Sequence, residues 1–143
     1  MITIKKLNYR VSEGDKERAS NSYLMSVVAL MIGMPLPILN LVATFVFFLA
    51  HRKSSYFVRW HCTQALFSQL SVLPINVVVF WWTISILFAQ NELTNTYIAY
   101  VITAFLFNFT EFITTIYTAA KVRKGVHLSW WFYGDITDLA VKQ

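Results

Sequence analysis

Glu111 is the residue whose type and place most demand a chemical explanation. It lies inside a long apolar run, Thr96–Ala120, about nine residues or roughly 13 Å from the basic end of that run. A carboxylate at membrane depth is costly and is a functional hypothesis by default. Proton relay, cation coordination and pairing with a basic residue are the roles it could fill. The plainer reading is a protonated or hydrogen-bonded Glu in a helix contact, with Asn108 and Thr110 beside it. A polar stripe runs through the preceding apolar run. Gln64, Ser68 and Ser71 recur at spacings of three and four, with Asn76 further out, so they share approximately one helical face. They are expected to face Glu111, Asn108 and Asn40 rather than lipid. Such a stripe is either an interhelical seam or a hydrophilic path. His61 shares a face with Gln64 and could titrate or bind a metal, or simply stack at an interface. Phe57, Arg59 and Trp60, next to it, complete the set of interaction or gating candidates. No nucleophile–base pair, His-Glu-x-x-His, Gly-rich phosphate loop or Cys/His metal spacing is present in the sequence. An enzyme is therefore not expected, nor is a cofactor or a metal site. The lone Cys62 reads as a small packing residue.

These side chains need elements to hold them, and the composition says which kind. The chain of 143 residues is 57% hydrophobic and only 13% charged, about half the charge of an average soluble domain. The charges are segregated: between residues 62 and 120 only Glu92 and Glu111 are ionisable carboxylates, and no Lys or Arg occurs. A chain of this kind belongs in a bilayer. The net charge of +5 flanks apolar runs, as orientation signals and headgroup contacts do, so nucleic acid is not an expected partner. No cleavable leader or lipidation box is apparent. The expected fold is an all-α integral membrane protein. Residues 1–22 form a polar, solvated cytoplasmic tail, 23–125 the membrane domain, and 126–143 an interfacial aromatic segment ending in a short amphipathic helix over Ile136–Lys142. Within the membrane domain, residues 23–50 would make one straight helix of about 42 Å, longer than the roughly 30 Å hydrocarbon core. Gly33-Met34-Pro35-Leu36-Pro37 interrupts them. Each proline removes an amide donor and biases the residue before it towards extended backbone. A broken helical hairpin is the result, with Asn40 and Thr44 available to bond freed carbonyls. Two long spans follow, at about 57–89 and 96–121. Pro74 should kink the first, and Ser71 could bond the carbonyl that Pro74 leaves free.

Orientation follows from charge. All 12 Lys and Arg lie in the N-terminal tail, the 52–59 segment or the C-terminal region, and the turn at 90–96 has none. A hairpin at 23–50 puts all three basic regions on one side, which the positive-inside rule makes cytoplasmic. A single crossing there would strand the N-terminal tail outside. Trp81, Trp82, Tyr97 and Tyr100 mark the far interface; Tyr56, Trp60, Trp130, Trp131 and Tyr133 mark the near one.

The segment Phe57-Val58-Arg59-Trp60-His61-Cys62-Thr63-Gln64-Ala65-Leu66 resembles the Phe-x-Arg-aromatic-His/Asn-x-x-Gln-Ala signature of the Tic-type protein-import family. That family is named for a channel-like subunit of the chloroplast inner-envelope translocon and has small bacterial relatives. Ala119-Ala120-Lys121-Val122-Arg123-Lys124-Gly125-Val126-His127 is similar to the close of the bacterial members. Trp60 stands where Phe is usual. The resemblance implies a helical fold with both ends on one side and a translocon-like or accessory role.

Residues and resemblance together point to a small non-enzymatic subunit of the bacterial inner membrane. It would bind the lipid bilayer and a larger membrane complex, in protein export or membrane-protein assembly. The competing expectation is a self-associating channel or transporter built on Glu111 and the Gln64/Ser68/Ser71 stripe.

Overall fold

The computed structural model describes residues 2–33, 37–89 and 92–142, the side chains of 29, 30, 32, 33, 37 and 40 excepted. In chain order the elements are β1 (Ile2–Lys5), α1 (Glu13–Gly33), α2 (Pro37–His51), α3 (Tyr56–Phe88), α4 (Asn95–Arg123), β2 (His127–Trp130) and α5 (Trp131–Ala140). The two long spans and the division of 23–50 into two helices follow the sequence reading. The extended geometry expected at Met34 and Leu36, and any bond made by Asn40, lie outside the described residues.

Both α3 and α4 are long and apolar enough to cross a bilayer, with mean hydropathies of 2.0 and 1.4 in their most apolar windows. Their 33 and 29 residues give about 50 and 43 Å of helix. What they bury argues for the membrane more strongly than their length. The inner face of α4 is Ala104, Asn108, Glu111, Thr115, Thr118, Ala119 and Val122. Its exposed face carries Ile102, Phe105, Leu106, Phe109, Ile113 and Ile116. Over residues 102–116 the amide and carboxyl side chains are inside and the large apolar ones outside, with Thr103 and Thr110 the exposed hydroxyls, the reverse of a water-soluble helix. An outer face of this kind fits a hydrocarbon surround.

Three features depart from the expected all-α chain with a solvated tail. First, α1 begins at Glu13 rather than near Tyr23. Ser12 Oγ accepts from the Asp15 amide at 3.1 Å, and Glu13 and Asp15 sit in the first turn, where carboxylates favour the helix dipole. Ala19, Ser20 and Ser22 are consequently buried. Second, β1 pairs antiparallel with β2, Ile2 opposite Trp130 and Lys5 opposite His127. The N-terminal residues are thus tied to the segment after α4. Third, the C-terminal helix starts at Trp131, five residues early, because the aromatic run enters the helix instead of preceding it.

The route from α4 into β2 is a Schellman close. Val126 N donates to Lys121 O at 3.2 Å and Gly125 N to Val122 O at 2.8 Å, with Gly125 at a φ of 80°, a conformation glycine adopts without strain. Gly134 lets α5 fold back onto β2. A Cβ there would stand 1.8 Å from Ser129 Oγ, well inside contact distance. The core sits at this end of the bundle, around Tyr23, Phe57, Val58, Cys62, Ala65, Ala119, Val122 and Trp130.

At the other end α3 and α4 are joined by aromatic and hydroxyl contacts. Trp82 meets Tyr97 and Tyr100 at ring distances of 5.7 and 5.9 Å, and Thr83 Oγ1 lies 2.8 Å from the Tyr97 hydroxyl. Trp81 points outward and is exposed. Pro74 is accommodated inside a continuous α3. Ser71 does not serve it: the hydroxyl bonds Ser68 O at 2.8 Å and meets the Tyr133 hydroxyl at 2.5 Å.

Candidate functional site

The 57–66 stretch, α1 and the β2–α5 segment converge on one buried polar knot. Gln64 is its centre and is fully buried. Its carboxamide Nε2 donates to the Tyr23 hydroxyl at 2.8 Å and to Leu128 O at 3.3 Å. Its Oε1 accepts from the Trp130 amide at 3.0 Å. Residues 128 and 130 of a strand present their backbone groups to the same edge. The side-chain amide therefore pairs with one edge of β2 while β1 pairs with the other. Gln64 substitutes for a third strand, and both of its N–H hydrogens are used.

From Gln64 the bonding continues through two histidines. Tyr23 Oη lies 2.9 Å from His61 Nδ1, and His61 Nε2 lies 3.1 Å from His127 Nδ1. The Tyr23 oxygen already accepts from Gln64, which cannot accept in return through its NH₂. The Tyr23 proton is then free for His61 Nδ1, and the chain of bonds closes with every proton used when His61 carries its proton on Nε2 and gives it to His127 Nδ1. The rings pack tightly: His61 meets Phe57 at 4.6 Å and His127 at 5.0 Å, and Trp60 meets His127 at 4.4 Å.

A clasp closes over the knot. The fully buried Trp60 donates its indole N–H to Asp138 Oδ1 at 2.8 Å. Asp138 also pairs with Lys5, and the Lys5 ammonium stands 5.1 Å over the Trp60 ring. Burial raises the Asp138 carboxyl, but the Lys5 ammonium and the Trp60 N–H outweigh it and hold the group below its ordinary range. One tryptophan thereby joins β1, α3 and α5. Trp130 adds a bond from its indole N–H to Thr118 Oγ1 at 2.7 Å.

His127 lies after the last span, and its environment sets a pH limit. Burial, with the Lys5 ammonium adding to it and Asp138 opposing it, pushes the imidazole from 6.5 down to about 4. The unfolded chain therefore takes up the proton first on acidification. The stability from neutral His127 is fully present above about pH 6.5 and is lost as pH falls towards about 4. With His61 donating through Nε2, protonation would also set two N–H groups against each other across the His61–His127 contact. Thermal unfolding in mild detergent should show Tm falling over that window, with a shallower fall for His127→Gln. A wild-type Tm that is flat from pH 7 to 4.5 would remove this account.

The remaining candidates divide. Phe57 is a core residue. Arg59 is half-buried on another face of α3 and takes no part in the knot. Asn76 and Asn108 form a reciprocal amide pair, with N···O distances of 3.0 and 2.7 Å, and Asn108 also donates to Ala104 O. The expected stripe is thus a seam over most of its length, but it meets three different groups of partners rather than one. Gln64 bonds Tyr23 and β2, and Ser71 is engaged by α5. Four buried side-chain oxygens have no hydrogen-bond partner of good geometry among the described residues: Ser55 Oγ, Ser68 Oγ, Glu111 Oε1 and Thr115 Oγ1, although the Thr115 hydroxyl stands close enough to the Glu111 carboxyl to interact with it. Glu111 is 8% exposed and lines a cleft of about 570 Å³ with Thr110, Thr114 and the aromatic segment of β2 and α5. Cys62 is free and buried. No cluster of three metal-ligating side chains occurs among the described residues.

Tyr23, His127, Asp138 and Lys5 were not singled out by the sequence. Tyr23 only marked the start of an apolar run, and Lys5 was one of several charges in a polar tail. The Ser12-x-x-Asp15 cap signal was legible and would have drawn α1 back to Glu13, placing Tyr23 in mid-helix.

The comparisons with known proteins correct the Tic-type resemblance. No curated protein and no solved structure matches the chain. Residues 19–134 match a different family, and that span contains the whole 57–66 segment on which the resemblance rested. The signature's aromatic, His and Gln positions are the ones that build the knot, so in this chain they describe how helices are fastened together and not a protein-import activity. The match covers most of the chain, including α2, α3, α4, β2 and nearly all of the apolar part of α1, and it shows that this small, predominantly helical protein belongs to the magnetosome magnetite crystal formation protein family.

Proposed function

We propose that the protein is a small non-enzymatic subunit of the magnetosome membrane that supports magnetite crystal formation through a partner membrane protein rather than by touching mineral. The family match carries the first half of this reading. The distribution of charge carries the second. All 12 basic residues flank one end of the spans, and the pairing of β1 with β2 holds both terminal segments together at that end. By the positive-inside rule that end is cytoplasmic. The opposite end, facing the crystal compartment, then offers Glu92 as its single carboxylate. Iron ions and oxide surfaces are hard and call for several oxygen ligands together, which one glutamate does not supply. The broad apolar outer faces of α2 and α4 offer a docking surface within the bilayer for a larger complex or a second copy.

One observation favours a second reading, ion or proton passage. Ser68 keeps an unpartnered buried oxygen among the described residues and Glu111, next to Thr115, lines a cleft; a self-associated form could place these groups along a path. Deleting the gene in its native host and complementing with the wild type or Glu111→Gln tests both. Crystals that are smaller or fewer on deletion, and restored by both versions, support the partner reading. Crystals unchanged on deletion would refute a role in crystal formation. Restoration by the wild type alone, with the variant present in normal amount, would favour passage through Glu111.

A further inference from the structure

A second cleft, of about 530 Å³, opens where α2 ends, α3 begins and the chain leaves α5. It is separate from the knot and from the Glu111 cleft. Its walls are sorted by chemistry. Arg52, Arg59 and Lys142 line it together with Phe48, Leu66 and Phe67. On α3, Arg59 lies in the first turns and Phe67 eight residues further in, about 12 Å along the helix. Phe48 lies in the last turn of α2, and Arg52 follows directly after its end. The cationic end is therefore at the helix termini and the apolar end runs into the membrane domain.

Among the described residues none of the three cations makes an ion pair. The ion pairs among the described residues are Lys5–Asp138, Lys16–Glu13 and Arg123–Glu17, and none reaches this cleft. No acidic residue lines it. Arg59 Nε is moreover buried without a hydrogen-bond partner. A buried guanidinium N–H left unmatched costs free energy that an incoming acceptor would recover. The planar fork of Arg matches phosphate oxygens, and an anion flanked by three cations is held by charge as well as geometry. The adjoining apolar wall suits an acyl chain, and neither a free anion nor a soluble acidic peptide would use it.

We propose that this cleft binds an anionic phospholipid, its phosphate on Arg59, Arg52 and Lys142 and one acyl chain along Phe48, Leu66 and Phe67. The lipid would bridge α2, α3 and the C-terminal segment and complete the surface the protein presents at its basic interface.

The test uses the full chain, purified in mild detergent and offered phosphatidylglycerol or phosphatidylcholine, with retained lipid counted by native mass spectrometry and Tm recorded in parallel. Phosphatidylglycerol should be retained in preference and should raise Tm. Arg59→Gln should weaken its retention by roughly tenfold, the scale of one charge-assisted contact, and Arg59→Lys by less, because charge remains while the fork is lost. Lys142→Gln, at an exposed position, should weaken retention a few-fold without affecting folding. If Arg59→Gln does not fold, Lys142→Gln decides. Equal retention of both lipids, or variants that hold phosphatidylglycerol as the wild type does, would overturn the site. Millimolar inorganic phosphate that raises Tm as much as the lipid, and displaces it, would overturn the lipid as occupant in favour of a free anion.

Discussion

Gln64→Glu is expected to destabilise the fold by about 3–5 kcal/mol, the scale of an uncompensated charge left in a buried network. The substitution is nearly isosteric, so packing is not the cause. A carboxylate has no hydrogens to give. Leu128 O would lose its 3.3 Å donor and face a negative oxygen instead. The Tyr23 oxygen would lose its 2.8 Å donor. Tyr23 would then turn its own proton towards the carboxylate and abandon His61 Nδ1, so the damage would spread to His61 and His127. Only the bond from the Trp130 amide would survive. Gln64→Met separates the two contributions. It removes the polar atoms without adding charge, and should cost less than Glu while still leaving the Trp130 amide and Leu128 carbonyl unmatched. Thermal unfolding in mild detergent measures both. A Gln64→Glu protein with wild-type Tm would show that the knot is not what fastens α3 to β2.

The second large effect is expected at Trp60. Trp60→Ala should cost about 3–5 kcal/mol from lost burial and the cavity left behind. Trp60→Phe is the sharper experiment. It keeps an aromatic ring against His61 and His127 but removes the N–H that reaches Asp138 at 2.8 Å. A hydrogen bond to a charged acceptor is worth about 1.5–3 kcal/mol, and that is the expected loss. Asp138→Asn should then cost much less in the Trp60→Phe background than in the wild type, because the two residues act through one bond. Additive effects of the pair would mean that Asp138 is held by Lys5 alone and that the tryptophan contributes only bulk. The Tic-type signature has Phe where this chain has Trp60, so the departure from that pattern falls on the residue that closes the clasp.

Residues 57–66 show why a real sequence signal can carry a wrong functional meaning. The spacing of Phe57, Trp60, His61 and Gln64 places four large or polar side chains on the inward part of one helix. Any helical membrane protein that fastens a strand or loop against the start of a span has use for that pattern. The pattern was legible, but its purpose depended on what lay opposite. Opposite are Tyr23 from α1, His127, Leu128 and Trp130 from β2 and Asp138 from α5, brought in from 38 to 78 residues away.

What the sequence determined by itself rests on the solvent. Long apolar runs, segregated charge and paired prolines specify helices in a bilayer, their approximate ends and the division of residues 23–50, because hydrocarbon tolerates so few alternatives for a polar backbone. What only the tertiary structure decided lies at the basic end, where water is available and local rules are permissive. There a polar tail could be solvated or could form α1 and β1, and an aromatic run could lie at an interface or enter α5. Pairing across more than a hundred residues settled both, with Ile2 opposite Trp130. The same holds for chemistry. Glu111 stood out because a lone carboxylate in an apolar run is visible locally. The Tyr23–His61–His127 contacts, and the three cations gathered around the second cleft, exist only once distant segments are folded together.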